Sequence, residues 1–196
     1  MNLKLENIPS KDLRKYEKKT CVGFRSSWES ICGRVKWFNW EKGECSILSN
    51  MYPCNIEYEG VRFNSVEQMY HYYVYSNIPE AQDLIMKAND GKEVKAVSKR
   101  YKEENMPLKD RFSLLLTCLE SKYQSCPEFR NKLKDTQDLP IVEVTTWWDV
   151  VYGTIDGAQL KNGQFNGEYV GDSFLGMNGT GRCLMQVREN HRNELK

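Results

Sequence analysis

The clearest pattern of apolar and polar positions lies between residues 65 and 74. Ser65 is a suitable N-cap, and Gln68 three residues later completes a capping box, so a helix is predicted to begin at residue 66. The apolar side chains that follow recur at i, i+3, i+4, i+7 and i+8, which is the spacing of one buried helix face. They are Val66, Met69, Tyr70, Tyr73 and Val74.

Alternation with a period of two predicts short strands elsewhere. Residues 56–58 and 61–63 are joined by Glu59-Gly60, a turn signal, and together they predict a β-hairpin. Residues 35–40 are rich in aromatic side chains and predict a second strand region, and residues 141–144 predict a third.

Helices are predicted over much of the remaining chain, at residues 79–89, 91–102, 107–123, 127–134 and 183–188. Between residues 153 and 181 the chain holds eight of its thirteen glycines, which predicts loops with unusual backbone angles. Short strands mixed with several helices, without a regular βαβ alternation, predict an α+β fold. We expect a single, mostly helical domain with a few short strands.

The first 35 residues differ from the rest because they are rich in charge and their apolar stripe is thin. Pro9 and Ser10 suit a helix start, so a short helix is predicted after Ser10. We expect residues 1–35 to form a solvated N-terminal extension packed loosely on the protein, and residues 36–196 to form the domain.

Composition and charge narrow the function classes. The 196 residues are 40% hydrophobic, which is enough for one filled core, and the net charge of +1 provides no overall field toward nucleic acid or anionic lipid. No stretch approaches the roughly 18 apolar residues of a membrane span, and the start lacks the apolar run of a signal peptide. We therefore expect a cytoplasmic protein with no membrane partner.

The cysteines and histidines give no support for a metal site. The seven cysteines are odd in number and form no Cys-x-x-Cys pair, and the two histidines, His71 and His191, are far apart in sequence. In a reducing compartment free thiols are the expected state. The sequence predicts neither a metal nor another cofactor.

Residues 33–43 suggest a nucleic-acid-binding alternative. Trp37, Phe38 and Trp40 resemble the first aromatic strand of a cold-shock domain, a class that stacks bases on exposed aromatic rings. The second aromatic motif of that class is absent, and helices rather than strands follow. Packing of these rings in the core is the default interpretation.

Glu67 lies in the first turn of the best-supported helix, two positions after its cap. An acid at this position stabilises a helix by about 0.3–1 kcal/mol through the helix dipole, and needs no other role. The flanking motifs change this interpretation.

Five short motifs, in order over residues 36–190, resemble those of the NADAR (YbiA-like) family. The two N-terminal motifs are Ser49-Asn50-x-Tyr52-Pro53 and the set Gly60, Phe63 and Ser65-x-Glu67 ahead of a helix. The later motifs are Leu119-x-x-Lys122-Tyr123, then Glu143, Asp149 and Gly153, and finally the closing run from Gly176 through Asn178 and Gly181 to Arg188.

This resemblance implies hydrolysis of an N-glycosidic bond between ribose and a base. The implied substrate is a phosphorylated ribosylamino-pyrimidine or an ADP-ribosylated guanine, so nucleic acid would enter only as the carrier of a modified base. Glu67 matches the catalytic carboxylate of the family, Asp149 is the second acid candidate, and His71 is a candidate proton donor with packing as its alternative. The candidate substrate-binding residues are Asn50, Tyr70, Arg100, Lys122, Trp148, Tyr152, Gly176 and Asn178.

Some of these candidates have two interpretations. Arg100, Lys122 and the backbone amides of residues 176–181 suit phosphate oxygens, although the two cations also suit a solvated helix face. Asn178 either contacts ribose hydroxyl groups or holds a left-handed turn.

Three positions depart from the family pattern. Val74 occupies the position seven residues after Glu67 where the family usually has Lys, and a family Trp is replaced near Pro107. The family Trp-Gly pair becomes Tyr152-Gly153, although Trp147 and Trp148 lie one turn upstream as an alternative stacking surface. These departures leave open a protein that binds a nucleotide or ADP-ribose, or a protein partner, without turnover.

Overall fold

The computed structural model describes residues 4–25, 45–101, 106–145 and 147–194. The chain divides into two compact units. One, here called the strand unit, comprises residues 1–46 and 135–185, and the other, the helical unit, comprises residues 47–134 and 186–196. Across the described ranges, no helix is long and apolar enough to cross a membrane.

The helical unit begins with the predicted hairpin, which is confirmed. Strands β3 (Ile56–Tyr58) and β4 (Val61–Phe63) pair antiparallel. Glu59 and Gly60 between them have φ values of 51° and 76°, so both turn residues are left-handed, as in the type I′ turn that suits the twist of a hairpin.

The predicted helices are confirmed, with shifts at their ends. The long segment ends two residues later than predicted, and the one predicted over 91–102 ends at Ser98. The helices of this unit are α1 (Val66–Val74), α2 (Pro79–Lys87), α3 (Gly91–Ser98), α4 (Leu108–Ser125) and α5 (Pro127–Asp135).

Helix α1 is fixed at its start by side chains and then buried by its neighbours. The Ser65 hydroxyl accepts the N–H of Gln68 at 3.2 Å, as predicted, but the Gln68 side chain accepts the N–H of Asn64 rather than that of the cap residue. Helix α1 packs against α2, α3 and α4. The core that results includes Val66, Met69, Ile85, Val94, Leu115 and Leu119.

The strand unit holds short strands and the start of the last helix. Its elements are β1 (Arg14–Glu17), β2 (Val22–Phe24), β5 (Ile141–Glu143), β6 (Ile155–Asp156), β7 (Gln164–Phe165), β8 (Glu168–Tyr169), β9 (Ser173–Gly176) and α6 (Gly179–Asn190). Strand β9 lies between β1 and β6 in an antiparallel sheet, β2 pairs in parallel with β5, and β7 and β8 form a hairpin.

The helix predicted after Ser10 is wrong, because residues 14–17 form β1 instead. Exposure alternates along Arg14–Glu17, so the polar side chains that thinned the helical stripe belong to a strand with one face toward solvent. Leu5, Ile8 and Phe24 are buried. The described part of the N-terminal segment is therefore integrated into the strand unit rather than loosely packed.

The glycine-rich region contains strands as well as the loops that were predicted. Gly163 and Gly167 have φ values of 65° and 82°, in the left-handed region that favours glycine. Gly181 is required by space instead, since a Cβ there would lie 2.2 Å from the Ile141 carbonyl oxygen. The predicted strand at 35–40, with Trp37, Phe38 and Trp40, lies outside the described residues.

Candidate functional site

Glu67 is buried although it carries a charge. It is the second residue of α1, and its N–H donates to the Asn50 carbonyl at 2.8 Å, which ties the loop after residue 48 to the start of the helix. The side chain keeps 10% of its surface exposed. A carboxylate in this position needs partners that compensate for its loss of hydration.

A histidine and a lysine approach the same carboxylate oxygen. His71, one turn along α1, has Nε2 at 3.2 Å from Glu67 Oε1, and Lys95 of α3 has Nζ at 3.8 Å from Oε1. Because an ionised carboxylate only accepts hydrogen bonds, Nε2 of His71 carries the proton in this contact. Among the described residues, none contacts the other oxygen, Oε2.

These neighbours decide the charge of Glu67. Burial raises the pKa of its carboxyl, but the positive charge of Lys95 and the hydrogen bond from His71 outweigh burial and hold the pKa below the ordinary value of 4.5. Glu67 is therefore an ionised carboxylate at neutral pH.

His71 is held in place by aromatic rings. It stacks on Tyr75 with ring centroids 6.1 Å apart and meets Tyr70 edge to face at 5.3 Å. The Tyr75 hydroxyl donates to the Ser98 carbonyl at 3.0 Å, which links the end of α1 to the end of α3. The other ring nitrogen of His71, Nδ1, is buried and has no hydrogen-bond partner within the described part of the chain.

Asn50 and Gly91 complete the surroundings of Glu67. The Asn50 side-chain oxygen is buried and, in the described ranges, unpartnered. A Cβ on Gly91, the first residue of α3, would lie 2.8 Å from Met51 Cγ and 3.5 Å from Glu67 Cγ. Only glycine lets α3 approach this closely, so Asn50, Glu67, Tyr70, His71 and Gly91 are brought together in one region of the helical unit.

Sequence reasoning missed Lys95 and Gly91. The available signal was the strong N-cap of α3, where Asp90 Oδ1 accepts the N–H groups of Lys92 and Glu93 at 2.8 and 2.9 Å. That cap fixes where α3 begins, but only the packing of α3 on α1 shows that its Gly91 and Lys95 face Glu67.

Lys122 is fully buried, and its ammonium is used within the helical unit. Nζ donates to the carbonyl oxygens of Ile47 at 2.6 Å and Ser49 at 3.0 Å, and it lies 4.6 Å from the centre of the Phe129 ring. Burial lowers its pKa to about 8. The structure thus gives Lys122 a supporting role for the loop that carries Asn50, and its contact with phosphate stays a prediction.

Arg100 lies just after α3 and is exposed. Its N–H donates to the Val97 carbonyl at 2.9 Å. Because Arg100 is exposed, its contact with phosphate stays a prediction.

The remaining candidates belong to the strand unit. Asp149 Oδ1 accepts the N–H groups of Val151 and Tyr152 at 3.1 and 3.0 Å, so this carboxylate shapes the turn that precedes Gly153. The carbonyl groups of that turn in return accept the N–H groups of residues 177–180. Those four amides are therefore already satisfied and are not available as the phosphate donors that the sequence suggested.

Asn178 holds a left-handed turn, which is one of the two roles predicted for it. Its φ is 53°, and its buried side chain accepts the Glu143 N–H at 3.0 Å and donates to the Ile141 carbonyl at 2.9 Å. The left-handed residue thus joins β5 to the start of α6. Contact with ribose stays a prediction, as does the substrate-binding role of Gly176, which ends β9.

Trp148 has the features of a stacking residue. It adopts φ of 62°, rare for a bulky side chain, and 51% of its surface is exposed, while the neighbouring Trp147 is 48% exposed. Strained backbone and exposed aromatic rings are both typical of functional surfaces.

Most of the chain matches a known domain family. The NADAR domain matches residues 37–192. The chain belongs to the NADAR family. This confirms the family predicted from the motifs, and the match begins two residues after the strand region predicted at residue 35.

A solved structure has the same overall fold. The NMR structure of the E. coli protein YbiA superposes with a TM-score of 0.59 at 16% sequence identity, covering 90% of this chain and 88% of that chain. At this identity the likeness shows the fold alone, and it confirms the predicted α+β class. No curated protein sequence matches the chain.

Proposed function

We propose that this NADAR protein is an N-glycosidase that hydrolyses the bond between ribose and a base in a phosphorylated ribosyl or ADP-ribosyl substrate. The observation that carries the proposal is the carboxylate of Glu67. It is buried and ionised, one of its oxygens is anchored by His71 and Lys95, and its second oxygen is left without a partner among the described residues.

The chemistry of the bond requires such a group. As the bond from the ribose anomeric carbon to nitrogen breaks, its electron pair goes to the base, and positive charge develops on the ribose. A fixed carboxylate stabilises that charge, or removes a proton from the water that attacks the anomeric carbon. The departing nitrogen takes a proton, and the products are the free base and a ribose with a new hydroxyl group.

Oε2 of Glu67 suits this task because Oε1 is already occupied. Oε1 accepts a hydrogen bond from His71 and lies beside the Lys95 ammonium, so it is a poor base. Oε2, which has no partner among the described residues, keeps its lone pairs for water or for the anomeric carbon. His71 and Lys95 then keep the carboxyl group from rotating. Preorganisation of this kind lowers the reorganisation needed during the reaction.

The proton for the departing nitrogen is assigned to a second group. The candidates are His71 and Asp149. His71 has the stronger support because it contacts Glu67, and its Nδ1, which has no partner among the described residues, carries a transferable proton when the imidazole is in its doubly protonated form. Asp149 has weaker support because its Oδ1 already accepts the N–H groups of Val151 and Tyr152 within the turn.

The base is expected to stack on an aromatic surface. Trp148 is exposed and held at a rare backbone angle, and nucleobases stack readily on indole rings. Exposed cations such as Arg100 are candidate contacts for the phosphate groups of the substrate.

The test is base release by wild type and by Glu67→Gln from ribosylamino-pyrimidine phosphate and from ADP-ribosylated guanine. We expect a loss of about 100-fold or more in Glu67→Gln, since amide nitrogen and oxygen cannot replace the carboxylate as a base. The matched control is Glu80→Gln, because Glu80 is the exposed second residue of α2 as Glu67 is of α1. Equal rates in wild type and Glu67→Gln would contradict the proposal.

One observation favours a second function, a binding protein without turnover. Val74 is 4% exposed and occupies the place of the family Lys, so α1 itself cannot supply that cation. Tight binding of ADP-ribose or of the pyrimidine ribotide by both proteins, with no base released by either, would support this second function.

A further inference from the structure

Lys95 reaches the carboxylate from a helix other than the one that carries Glu67. Glu67 lies on α1, and Lys95 lies on α3, with Nζ 3.8 Å from Oε1. On α1, the position seven residues after Glu67 is the buried Val74. The positive charge near Glu67 is therefore supplied across the α1–α3 contact.

We propose that Lys95, which reaches Glu67 from α3, is a positioning residue that holds the Glu67 carboxylate charged and oriented. This rests on the proposed function in one respect: the effect on turnover requires Glu67 to be catalytic. The effect on the charge and orientation of Glu67 does not.

The packing of α3 supports this assignment independently of the charge. Gly91 and Lys95 are four residues apart and lie on one face of α3. A Cβ on Gly91 would be 3.5 Å from Glu67 Cγ, so this face of the helix contacts the Glu67 side chain along a full turn. The Asp90 cap fixes the start of the helix and thereby the position of Lys95.

In the part of the chain that the structure describes, three titratable groups face Glu67. They are His71 from α1, Lys95 from α3 and the buried thiol of Cys118 from α4, whose pKa is raised by burial and which is therefore neutral. Histidine is charged only after it binds a proton, whereas the lysine ammonium keeps its charge through the neutral range. Lys95 is thus the permanent charge of this group of three.

Lys95 is also able to remain charged at low cost. Its side chain is 44% exposed, so the ammonium keeps part of its hydration while it attracts the buried carboxylate. A methionine at this position would keep the apolar stem that covers α3 and remove only the charge.

The first test follows the titration of Glu67 directly, without turnover. The carboxyl carbon of Glu67 is monitored by NMR against pH in wild type, Lys95→Met, Lys95→Arg and Lys99→Met, with Glu67→Gln used to assign the signal. We expect the midpoint to move to higher pH in Lys95→Met and to return toward wild type in Lys95→Arg. Lys99→Met is the matched control, because Lys99 is exposed and one turn further along the same helix.

The second test is the pH profile of base release. Activity that needs the ionised carboxylate falls as pH drops through its pKa, so the acid limb is expected at higher pH in Lys95→Met than in wild type. Well above the Glu67 midpoints measured in the first test, where the carboxylate is ionised in both proteins, the loss in kcat/KM is expected to stay within about tenfold. A merely structural role for Lys95 would lower activity equally at all pH values.

The outcomes separate the two proposals. An unchanged Glu67 midpoint in Lys95→Met, or an equal shift in Lys99→Met, overturns the role of Lys95 even if the protein is an active glycosidase. A shifted midpoint in a protein that releases no base supports the role of Lys95 at this site and contradicts the proposed function instead. Thermal unfolding of each variant checks that the comparison is between folded proteins.

Discussion

At the scale of single residues, hydrogen-bond partners distinguish two charged residues of the family motifs. Glu67 and Lys122 are both charged and buried. Glu67 keeps one oxygen without a described partner, whereas the Lys122 ammonium donates to two carbonyl groups of the loop at residues 47–49. The first arrangement leaves a group for chemistry, and the second supports the loop beside it.

Lys122→Met is expected to destabilise the protein. The change removes the Lys122 donor from the Ile47 carbonyl and leaves the Ser49 carbonyl with only the Tyr52 N–H at 3.2 Å. A buried polar group that loses its partner costs about 1–3 kcal/mol. We expect a loss of about 2 kcal/mol or more in the free energy of unfolding at pH 7, measured with urea. Lys109→Met on the exposed start of α4 is the control and should change stability by less than about 0.5 kcal/mol.

The difference in stability between wild type and Lys122→Met is expected to depend on pH in a defined direction. The pKa of Lys122 is about 8 in the folded protein and 10.5 ordinarily, so between these values the unfolded chain binds more protons than the folded one. The stability of wild type relative to Lys122→Met should therefore rise from pH 8 to 10.5. A neutral amine still donates two hydrogen bonds, so both carbonyl groups stay satisfied. A relative fall over that range would contradict the assignment.

At the scale of elements, side chains stabilise the ends of helices, where some backbone groups have no hydrogen-bond partner within the helix. Asp90 caps α3, Ser65 caps α1, and His191 follows the last residue of α6. His191 contacts Glu120 of α4 at 2.6 Å through Nε2 and Glu194 at 3.2 Å through Nδ1, and its ring stacks on Tyr123. Because both ring nitrogens meet carboxylates, this arrangement favours the protonated imidazole.

The His191 contacts are expected to weaken as pH rises. Burial lowers the pKa of His191, but its hydrogen bonds with Glu120 and Glu194 outweigh burial and raise the pKa above 6.5. A raised pKa contributes stability that is fully present below 6.5 and is lost as pH rises through the folded value. Wild type should therefore lose stability relative to His191→Gln between pH 6 and 8, by on the order of 1 kcal/mol.

The control for this prediction is the neighbouring exposed pair. Arg192 contacts Glu189 at 2.7 Å, and Arg192→Gln should change stability by less than about 0.5 kcal/mol, without a step between pH 6 and 8. Urea unfolding at both pH values measures each difference. A wild-type protein whose stability relative to His191→Gln is flat over this range would show that His191 is not protonated by these contacts.

At the scale of the whole molecule, the N-terminal segment is part of the fold. Strand β1 pairs with β9, and β2 pairs with β5, so strands from both ends of the sequence build the strand unit. The apolar side chains that the segment buries are Leu5, Ile8, Cys21, Val22 and Phe24.

Removal of residues 1–25 is therefore expected to prevent stable folding of the strand unit. A large apolar side chain contributes about 1.5–3 kcal/mol when buried, so the loss of this set approaches the whole stability of a typical domain, about 5–15 kcal/mol. Limited proteolysis and thermal unfolding of the chain from residue 26 measure the effect. Equal stability of the shortened and full chains would support the loosely packed extension predicted from the sequence, and the boundary at residue 36 stays a prediction in either case.

The sequence by itself determined the elements whose cause is local. The hairpin at residues 56–63 follows from its Glu59-Gly60 turn and short-range alternation, and α1 follows from its Ser65 cap and its apolar stripe. The family was predicted from five motifs in order, because the residues of a motif can be recognised in the sequence even where the role of each one is unknown. Glu67 became a candidate in this way.

Only the tertiary structure decided which residues surround Glu67. Lys95 is 28 positions away in sequence and is brought within 3.8 Å by the packing of α3 on α1, and no local pattern encodes that approach. The helix predicted after Ser10 was wrong for the same reason, since a short strand such as β1 is stabilised by a partner at residues 173–176 rather than by its own spacing. Local propensity determines helices and turns, whereas long-range burial and pairing determine the environment of a charge.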